Sequence, residues 1–386
     1  MRTLGAVVLL LLTSVLARAQ ALLPEARPAE VGLSAAHLKQ GVARFEKALA
    51  DDDLRGAVLL VARDGKIVLH EALGWRDLDQ KLPMQKDTLF HVASNTKPVV
   101  AAGVLLLVEE GKLGFDDEVR KHLPAFDNEK SKTVTIRQLL NHTSGFRIPG
   151  IFPKPLLKKS AEYPHAPSLR AEVDRIGGIG PAEKPGQSYS YNNAGYNTLG
   201  ALIEVASKQP LEVFLTERFY RPLGMKDAYH LDSKEMVQRR AVITSKKDGS
   251  WKATYSPGDA PAVPFVRGSG GLITTGADYA RFLQLFLNGG VWNGRRLLKE
   301  ETVRQAVAAQ TKAIYPAEEQ EQRTAYYGFG WQVSTATGIY GHGGSDGTYA
   351  WVDPKRRIVG LIFTQSPGGN IPREDFLKLL RAAVEP

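Results

Sequence analysis

A serine and a lysine three residues apart provide the first chemistry that the sequence could perform. Ser94 and Lys97 lie in the segment Ser-Asn-Thr-Lys, where extended chain gives way to a predicted helix. In the first turn of a helix, residues three apart lie on the same face, so the Lys97 amine can reach the Ser94 hydroxyl. Such an amine can take the hydroxyl proton and activate the serine if burial or a nearby cation lowers its pKa. The pair is a minimal catalytic unit, and its alternative is a capped helix beside a surface lysine.

A tyrosine and an asparagine at the start of another predicted helix could handle protons and bind substrate. Tyr191 and Asn193 follow a Pro-Gly pair, and the helix is expected to begin at Ala194. A phenol beside an ammonium group can pass a proton to a leaving group, and an amide two residues further on can hydrogen-bond both the lysine and a substrate carbonyl. The alternative for Tyr191 is a ring that packs at a helix start.

A glycine-containing segment at the end of a predicted strand is the third candidate. It comprises His342, Gly343, Gly344 and Ser345. Because glycine has no side chain, the backbone there can approach an extended substrate, and the Ser345 amide could donate to an oxyanion. The segment that begins at Gly343 also matches the Gly-x-Ser-x-Gly motif of the α/β-hydrolase nucleophile elbow. That fold, however, needs a helix after the serine and a later histidine. The sequence after Ser345 is typical of a strand and His342 is the last histidine, so we interpret the elbow as accidental.

The elements that must position these residues begin and end with strands. An amphipathic helix capped by Ser34 is predicted first, and the turn pair Asp64-Gly65 then joins two strands, at 57–62 and 66–70. At the other end of the chain, strands are predicted at 327–333, 339–342, 349–352 and 358–365, before a last helix at 373–384.

The middle of the chain, from residue 91 to 325, has a mostly helical pattern. Thr135 and Gln138 form a capping box. Helices are predicted at 98–110, 136–141, 195–207, 211–219 and 277–287. Two long stretches rich in Gly and Pro, 146–187 and 245–271, are expected to be irregular walls or lids of a site.

This order of elements predicts an α+β fold, an α/β sandwich. One antiparallel sheet is expected from both chain ends, 20–90 and 326–386, flanked by helices, with residues 91–325 inserted as a mostly helical subdomain. A cleft between sheet and subdomain is the expected place for the site.

The start of the chain is typical of a secretory signal. Arg2 is followed by an apolar run, and a small-x-small cleavage site ends at Ala19. The run is shorter than the roughly 20 residues of a spanning helix. We therefore expect residues 1–19 to be removed and the mature chain, from Gln20, to be periplasmic or secreted without stable membrane insertion.

Composition narrows the classes of partner and cofactor. The chain has no Cys, which excludes disulfides, thiolate metal ligands and a lipidated cysteine. Its formal net charge is +9, but the basic residues are scattered, so we expect no nucleic-acid partner. The histidines lack ligand spacing, and we expect neither metal nor cofactor. The expected partner is a small ester, amide or peptide substrate.

Together these segments resemble the serine β-lactamase family, especially class C β-lactamases, D-alanyl-D-alanine carboxypeptidases and family VIII esterases. The resemblance spans roughly residues 30–380 and implies a β-lactamase/transpeptidase-like fold. It is carried by five stretches in the family's order, at 90–98, 139–145, 189–200, 268–271 and from residue 342 onwards.

The resemblance also implies a role for each candidate residue. Ser94 would be the nucleophile, with Lys97 and Tyr191 as base and proton shuttle, and which of the two is the acylation base stays open. Asn193 would bind substrate. The backbone amides of Ser94 and Ser345 would form the oxyanion hole.

One position departs from the family's pattern. β-Lactamases of this kind carry Lys-Thr-Gly where this chain has His342, Gly343 and Gly344. A cation and a hydroxyl suited to a carboxylate are replaced by an imidazole, mostly neutral at pH 7, and by bare backbone. We therefore expect an exported serine hydrolase that acts on small carboxylic esters through an acyl-enzyme. The alternatives are a β-lactamase, a D-alanyl-D-alanine carboxypeptidase or peptidase, and a penicillin-binding sensor that acylates without turnover.

Overall fold

Strands occur at both ends of the chain and in its middle. The computed structural model describes residues 23–147, 166–231, 234–259 and 264–384, so the predicted signal segment lies outside the described residues. The described strands are β1 (Gly56–Arg63), β2 (Lys66–Asp77), β3 (Leu82–Pro83), β4 (Phe90–His91), β5 (Ala228–Tyr229), β6 (Ile243–Lys247), β7 (Ser250–Tyr255), β8 (Ile273–Thr274), β9 (Val291–Trp292), β10 (Arg295–Arg296), β11 (Ala325–Tyr327), β12 (Gln332–Ser334), β13 (Tyr340–Gly344), β14 (Thr348–Asp353) and β15 (Ile358–Thr364).

An eight-stranded antiparallel sheet combines the two ends of the chain, as predicted. Its strand order is β11-β12-β13-β14-β15-β1-β2-β3. The ends meet where β1 pairs with β15, from Ala57 opposite Thr364 to Arg63 opposite Ile358. The remaining strands form small sheets of two or three strands, among them β4-β8-β5.

The helices lie before, within and after the sheet strands in the sequence. They are α1 (Ala35–Ala50), α2 (Thr96–Glu109), α3 (Ile136–Leu140), α4 (Leu169–Ile179), α5 (Asn193–Ser207), α6 (Leu211–Leu215), α7 (Arg221–Leu223), α8 (Lys234–Val237), α9 (Gly276–Leu287), α10 (Glu300–Ala306), α11 (Ala317–Gln322) and α12 (Arg373–Ala382). A π-helical segment, Thr216–Tyr220, joins α6 to α7. Ser34 caps α1, and Thr135 and Gln138 form the predicted capping box of α3.

Alternating residues of β1 bury the two faces of the sheet in separate cores. Ala57, Leu59 and Val61 lie in a cluster with residues of the terminal helices α1 and α12. Val58 and Leu60 belong to the larger cluster, which contains residues of α2, α5 and α9. Because successive strand residues point to opposite faces, this single apolar strand serves both layers. The sheet is thus covered on both faces, as the α+β prediction requires.

Three details of the predicted elements were wrong. The strand predicted at 327–333 is two strands, β11 and β12, because residues 328–331 form the turn between them, with the Gly328 amide donating to the Trp331 carbonyl over 2.8 Å. The stretch 146–187 contains α4, whose N-cap Ser168 precedes apolar residues at helical spacing. The stretch 245–271 contains most of the β6-β7 hairpin.

The described residues include no helix that is both long and apolar enough to cross a membrane.

Candidate active site

The Ser94 nucleophile candidate lies in a 3-10 turn, Ala93–Asn95, immediately before α2. Ala93 has a φ of +48°, a left-handed conformation that is uncommon for a residue with a side chain. The Thr96 hydroxyl fixes this conformation, since it donates to the Ala93 carbonyl over 2.7 Å and accepts from the Leu272 amide over 3.0 Å. The turn leaves the Ser94 side chain half-buried at the start of a buried helix.

Lys97 lies in the first turn of α2 and reaches Ser94, as the spacing predicted. Its Nζ is 3.1 Å from the Ser94 Oγ. The same Nζ donates to the Asn193 Oδ1 over 2.8 Å and to the Ser269 carbonyl over 2.7 Å. Because the side chain is fully buried, loss of hydration lowers the Lys97 pKa well below its usual 10.5, and the nearby Arg267 cation lowers it further. The amine therefore has the position and the electrostatics of a general base.

Tyr191 lies beside the Ser94–Lys97 pair. Its phenol lies near the Ser94 hydroxyl, and burial raises the pKa of Tyr191 above its usual 10.0. The rings of Tyr191 and Tyr196 lie over the lysine, with their centroids 4.8 and 5.6 Å from its Nζ. Tyr191 is therefore a neutral phenol at pH 7, suited to relay a proton and unsuited to be the initial base.

Asn193 owes its place to the cap of α5. The Asn192 side chain is the N-cap and accepts from the Gly195 amide over 2.7 Å. Asn193 is thereby the first helical residue, half-buried, with its side chain bonded to Lys97. The structure thus brings Ser94, Lys97, Tyr191 and Asn193 into one cluster.

The end of β13 contacts the nucleophile turn. A Cβ added to Gly344 would lie 2.5 Å from the Val92 carbonyl oxygen, so only glycine permits this approach. The Thr348 hydroxyl fixes the same junction, since it donates to the Val92 carbonyl and accepts from the Asn95 side chain, both over 3.0 Å. Ser345 follows β13 directly and is exposed, which places its backbone at the cleft beside the turn.

His342 lies behind this strand end rather than in the open cleft. Its side chain is 1% exposed, its Nδ1 is 2.7 Å from the Gly343 carbonyl oxygen, and its Nε2 is 3.0 Å from the Tyr327 hydroxyl. Burial, followed by the charge of Lys97, lowers the His342 pKa to about 3. The neutral ring therefore donates through Nδ1 and accepts through Nε2, so both nitrogens are occupied by protein groups. The imidazole is uncharged, as its residue type indicated, while its contact with substrate stays a prediction.

Three parts of this site were not assigned from the sequence. The buried His142 ring contacts Tyr191 and Tyr327 at centroid distances of 4.5 and 4.7 Å. The Ser269 carbonyl binds the lysine, although only its Gly-Ser-Gly-Gly context was noticed. Arg267, two residues earlier, acts electrostatically on Lys97, and the proximity of a basic residue to that motif was the available signal.

The arrangement can perform nucleophilic acyl transfer. The Ser94 hydroxyl contacts an amine whose pKa is lowered, and a phenol whose pKa is raised lies beside that amine. One group can accept the hydroxyl proton while the other supplies a proton to the departing group. The end of β13 contacts the turn that carries Ser94, and the role of the Ser94 and Ser345 amides as oxyanion donors stays a prediction.

Comparisons with known proteins agree on the fold. The sequence matches the family model described as Beta-lactamase over residues 42–384. It is 28% identical over 353 residues to the uncharacterized protein MT1414 of Mycobacterium tuberculosis (strain CDC 1551 / Oshkosh), covering 81% of this chain and 86% of that protein. The structure of EstCE1, described as a hydrolase with promiscuous acyltransferase activity, superposes with a TM-score of 0.74 at 22% identity, covering 91% of this chain and 99% of that one. The D-amino acid amidase of Ochrobactrum anthropi superposes with a TM-score of 0.68 at 21% identity, covering 89% and 99%.

Proposed function

Because the chain belongs to the β-lactamase family of hydrolases, we propose that it is a serine hydrolase that acts through an acyl-enzyme on Ser94. The observation that carries this proposal is the 3.1 Å separation between the Ser94 Oγ and a fully buried Lys97 Nζ. Burial gives that lysine a lowered pKa, which a surface lysine beside a helix cap would lack. A penicillin-binding sensor is disfavoured because Ser94, Lys97 and Tyr191 are all present and in contact.

The proposed reaction has two halves. In acylation, the neutral Lys97 amine accepts the Ser94 proton, the Oγ bonds to the substrate carbonyl carbon, and the amides of Ser94 and Ser345 stabilise the oxyanion. The bond to the leaving oxygen or nitrogen then breaks, and that atom receives a proton from the Tyr191 phenol, which Lys97 reprotonates. In deacylation, water gives a proton to the same pair as its oxygen bonds to the acyl carbon. The bond from that carbon to the Ser94 Oγ then breaks, the pair returns the proton to the Oγ, and the acid leaves.

The proposed substrates are small carboxylic esters. An ester needs only the nucleophile and the oxyanion donors, whereas a β-lactam also needs its carboxylate held beside β13. There, His342 is neutral and buried, and Gly343 has no side chain. Esters are therefore preferred to β-lactams.

We also propose that the protein is exported. Residues 1–19 support this, because a positive start, an apolar run and a small-x-small site form a complete signal pattern. Expression of the full chain in a Gram-negative host, followed by N-terminal sequencing of the periplasmic product, should find Gln20 as the first residue. An intact N-terminus in the cytoplasmic fraction would contradict export.

A fluorophosphonate probe is expected to label Ser94 and not Ser345. Of these two serines, only Ser94 has an amine within 3.1 Å, whereas the Ser345 hydroxyl donates to the Asp346 carboxylate over 3.0 Å. Peptide mapping of the labelled protein locates the adduct. The Ser94→Ala variant should lose both labelling and turnover, while Ser345→Ala should keep both, because the proposed donor there is a backbone amide. An adduct on Ser345 would refute the proposal.

Short-chain p-nitrophenyl esters are expected to be hydrolysed with a kcat/KM at least about tenfold above that for nitrocefin, since the charge-assisted contact that a Lys on β13 would supply is missing. D-Alanyl peptides measured in the same panel test the peptidase alternative. If nitrocefin exceeds every ester in kcat/KM, the chain is a β-lactamase instead.

A further inference from the structure

Arg267 is a cation near the Ser94–Lys97 pair, and beyond its effect on the Lys97 pKa its guanidinium donors have no assigned acceptor. It lies two residues before Ser269, whose carbonyl binds the Lys97 amine over 2.7 Å. Its side chain is partly buried, and its charge is close enough to lower the Lys97 pKa. The guanidinium is therefore within the electrostatic reach of the reacting groups.

Arg267 has no ion-pair or hydrogen-bond partner among the described residues. Two carboxylates, Glu172 and Asp346, are near enough to affect its pKa, but each has other partners. Glu172 accepts from the Asn197 amide over 3.0 Å. The Asp346 carboxylate is 2.5 Å from the His91 Nδ1, and it also accepts from a neighbouring hydroxyl. Burying a guanidinium without an acceptor is costly, so this arrangement suits a group that receives an anion.

Burial weakens the tendency of Glu172 to carry the negative charge that would offset Arg267. The Glu172 side chain is buried, and one of its oxygens, Oε2, has no hydrogen-bond partner. Burial raises the pKa of Glu172, which favours the protonated, uncharged acid. The guanidinium thus keeps its positive charge in a partly desolvated cleft, where its attraction for an anion is stronger than in water.

We propose that Arg267 binds a carboxylate of the substrate, so that the preferred substrates are esters with a negatively charged group near the scissile carbonyl. This inference rests on the proposed Ser94 hydrolase. The planar guanidinium offers parallel N–H donors that match the two oxygens of a carboxylate. Arg267 lies in the loop before β8, whereas the lysine of the β-lactamases lies at the position of His342 on β13. Arg267 would therefore bind a substrate anion at a different position from that lysine.

Matched ester pairs test this inference. The acyl arm compares p-nitrophenyl hemiglutarate with p-nitrophenyl valerate, and the leaving-group arm compares 3-carboxy-4-nitrophenyl butyrate with p-nitrophenyl butyrate. In each arm the measured quantity is the ratio of kcat/KM for the charged ester to that for the neutral ester. The proteins are the full mature chain, Arg267→Gln, Arg267→Lys and the control Arg170→Gln. Arg170 is bonded to Asp174 on the surface of α4, so this control removes one positive charge from the helical subdomain outside the cleft.

In at least one arm, the unmodified enzyme is expected to prefer the charged ester, and Arg267→Gln is expected to reduce the ratio at least about tenfold. Arg267→Lys should keep part of the preference, because lysine keeps the positive charge but lacks the parallel N–H donors of the guanidinium. Arg170→Gln should keep the whole preference. The arm that responds identifies the side of the ester that carries the anion.

Two results would overturn the inference while leaving the proposed function intact. One is an unmodified enzyme that hydrolyses esters without preferring the charged member of either pair. The other is an equal loss on both members in Arg267→Gln, which would mean that Arg267 acts only through the Lys97 pKa or the fold. Failure of Ser94 to react with a fluorophosphonate would instead refute the hydrolase itself.

Discussion

The double variant Lys97→Ala/Tyr191→Phe is expected to be hardly less active than the poorer of the two single variants. Each single substitution should reduce kcat/KM by about 10²- to 10⁴-fold, the usual contribution of a positioned acid or base. The losses should not add, because Lys97 contacts both the Ser94 hydroxyl and the Tyr191 ring, and the two side chains are proposed to handle the same proton. Once either group is gone, the relay is broken and the other has little left to contribute.

Tyr189→Phe provides a matched control for this cycle. Tyr189 is a neighbouring phenol whose ring is 6.1 Å from His142 and 5.9 Å from Tyr327, but it makes no described hydrogen bond with Ser94. Any loss that it causes should add to the loss of Lys97→Ala. Fully additive losses for Tyr191→Phe as well would contradict the shared proton path.

The parts of the site that follow from local geometry could be predicted from the sequence. The reach of Lys97 to Ser94 depends only on three-residue spacing in a first helical turn, and the observed 3.1 Å agrees with it. The combination of both chain ends in one sheet followed from apolar strands at each end, which have to bury their two faces. The placement of Tyr191 beside the pair came from the family resemblance, because no local rule connects residues so far apart.

The parts that depend on distant contacts could not be predicted. The His342 ring is buried and hydrogen-bonded to the Tyr327 hydroxyl. The two residues belong to β13 and β11, which are separated by β12, so they meet only when all three strands have joined the sheet. Arg267 lies beside a recognised motif, but the sequence does not show that it lacks a carboxylate partner. That follows only from the structure, in which Glu172 and Asp346 bond to other residues. The choice of base was open for the same reason. Opposite pKa shifts of Lys97 and Tyr191 arise from three-dimensional burial, which residue types do not reveal.

Lys97→Arg is expected to be as inactive as Lys97→Ala, with a loss of about 10³-fold or more in kcat/KM. Arginine has a comparable reach and a permanent positive charge, but its guanidinium does not lose its proton in proteins, so it cannot act as a base. If Lys97 acted only as a cation toward the oxyanion or Asn193, arginine would retain much of the activity.

In the unmodified enzyme, kcat/KM should fall by about tenfold per pH unit below the Lys97 pKa. Above that pKa it should level off, well before pH 10.5.

The same titration should be measurable as stability, independently of turnover. Between the lowered pKa of folded Lys97 and its usual 10.5, the unfolded chain binds a proton that the folded chain lacks, so the free energy of unfolding rises with pH. Lys97→Met removes this group, and the unfolding free energy of the parent minus that of Lys97→Met should increase by about 1.4 kcal/mol per pH unit across the window. Urea unfolding at several pH values measures it. Ser94→Ala, inactive but with its lysine intact, should show the parent's pH dependence. A difference between parent and Lys97→Met that does not change with pH would mean that Lys97 stays charged throughout the window and is not the base.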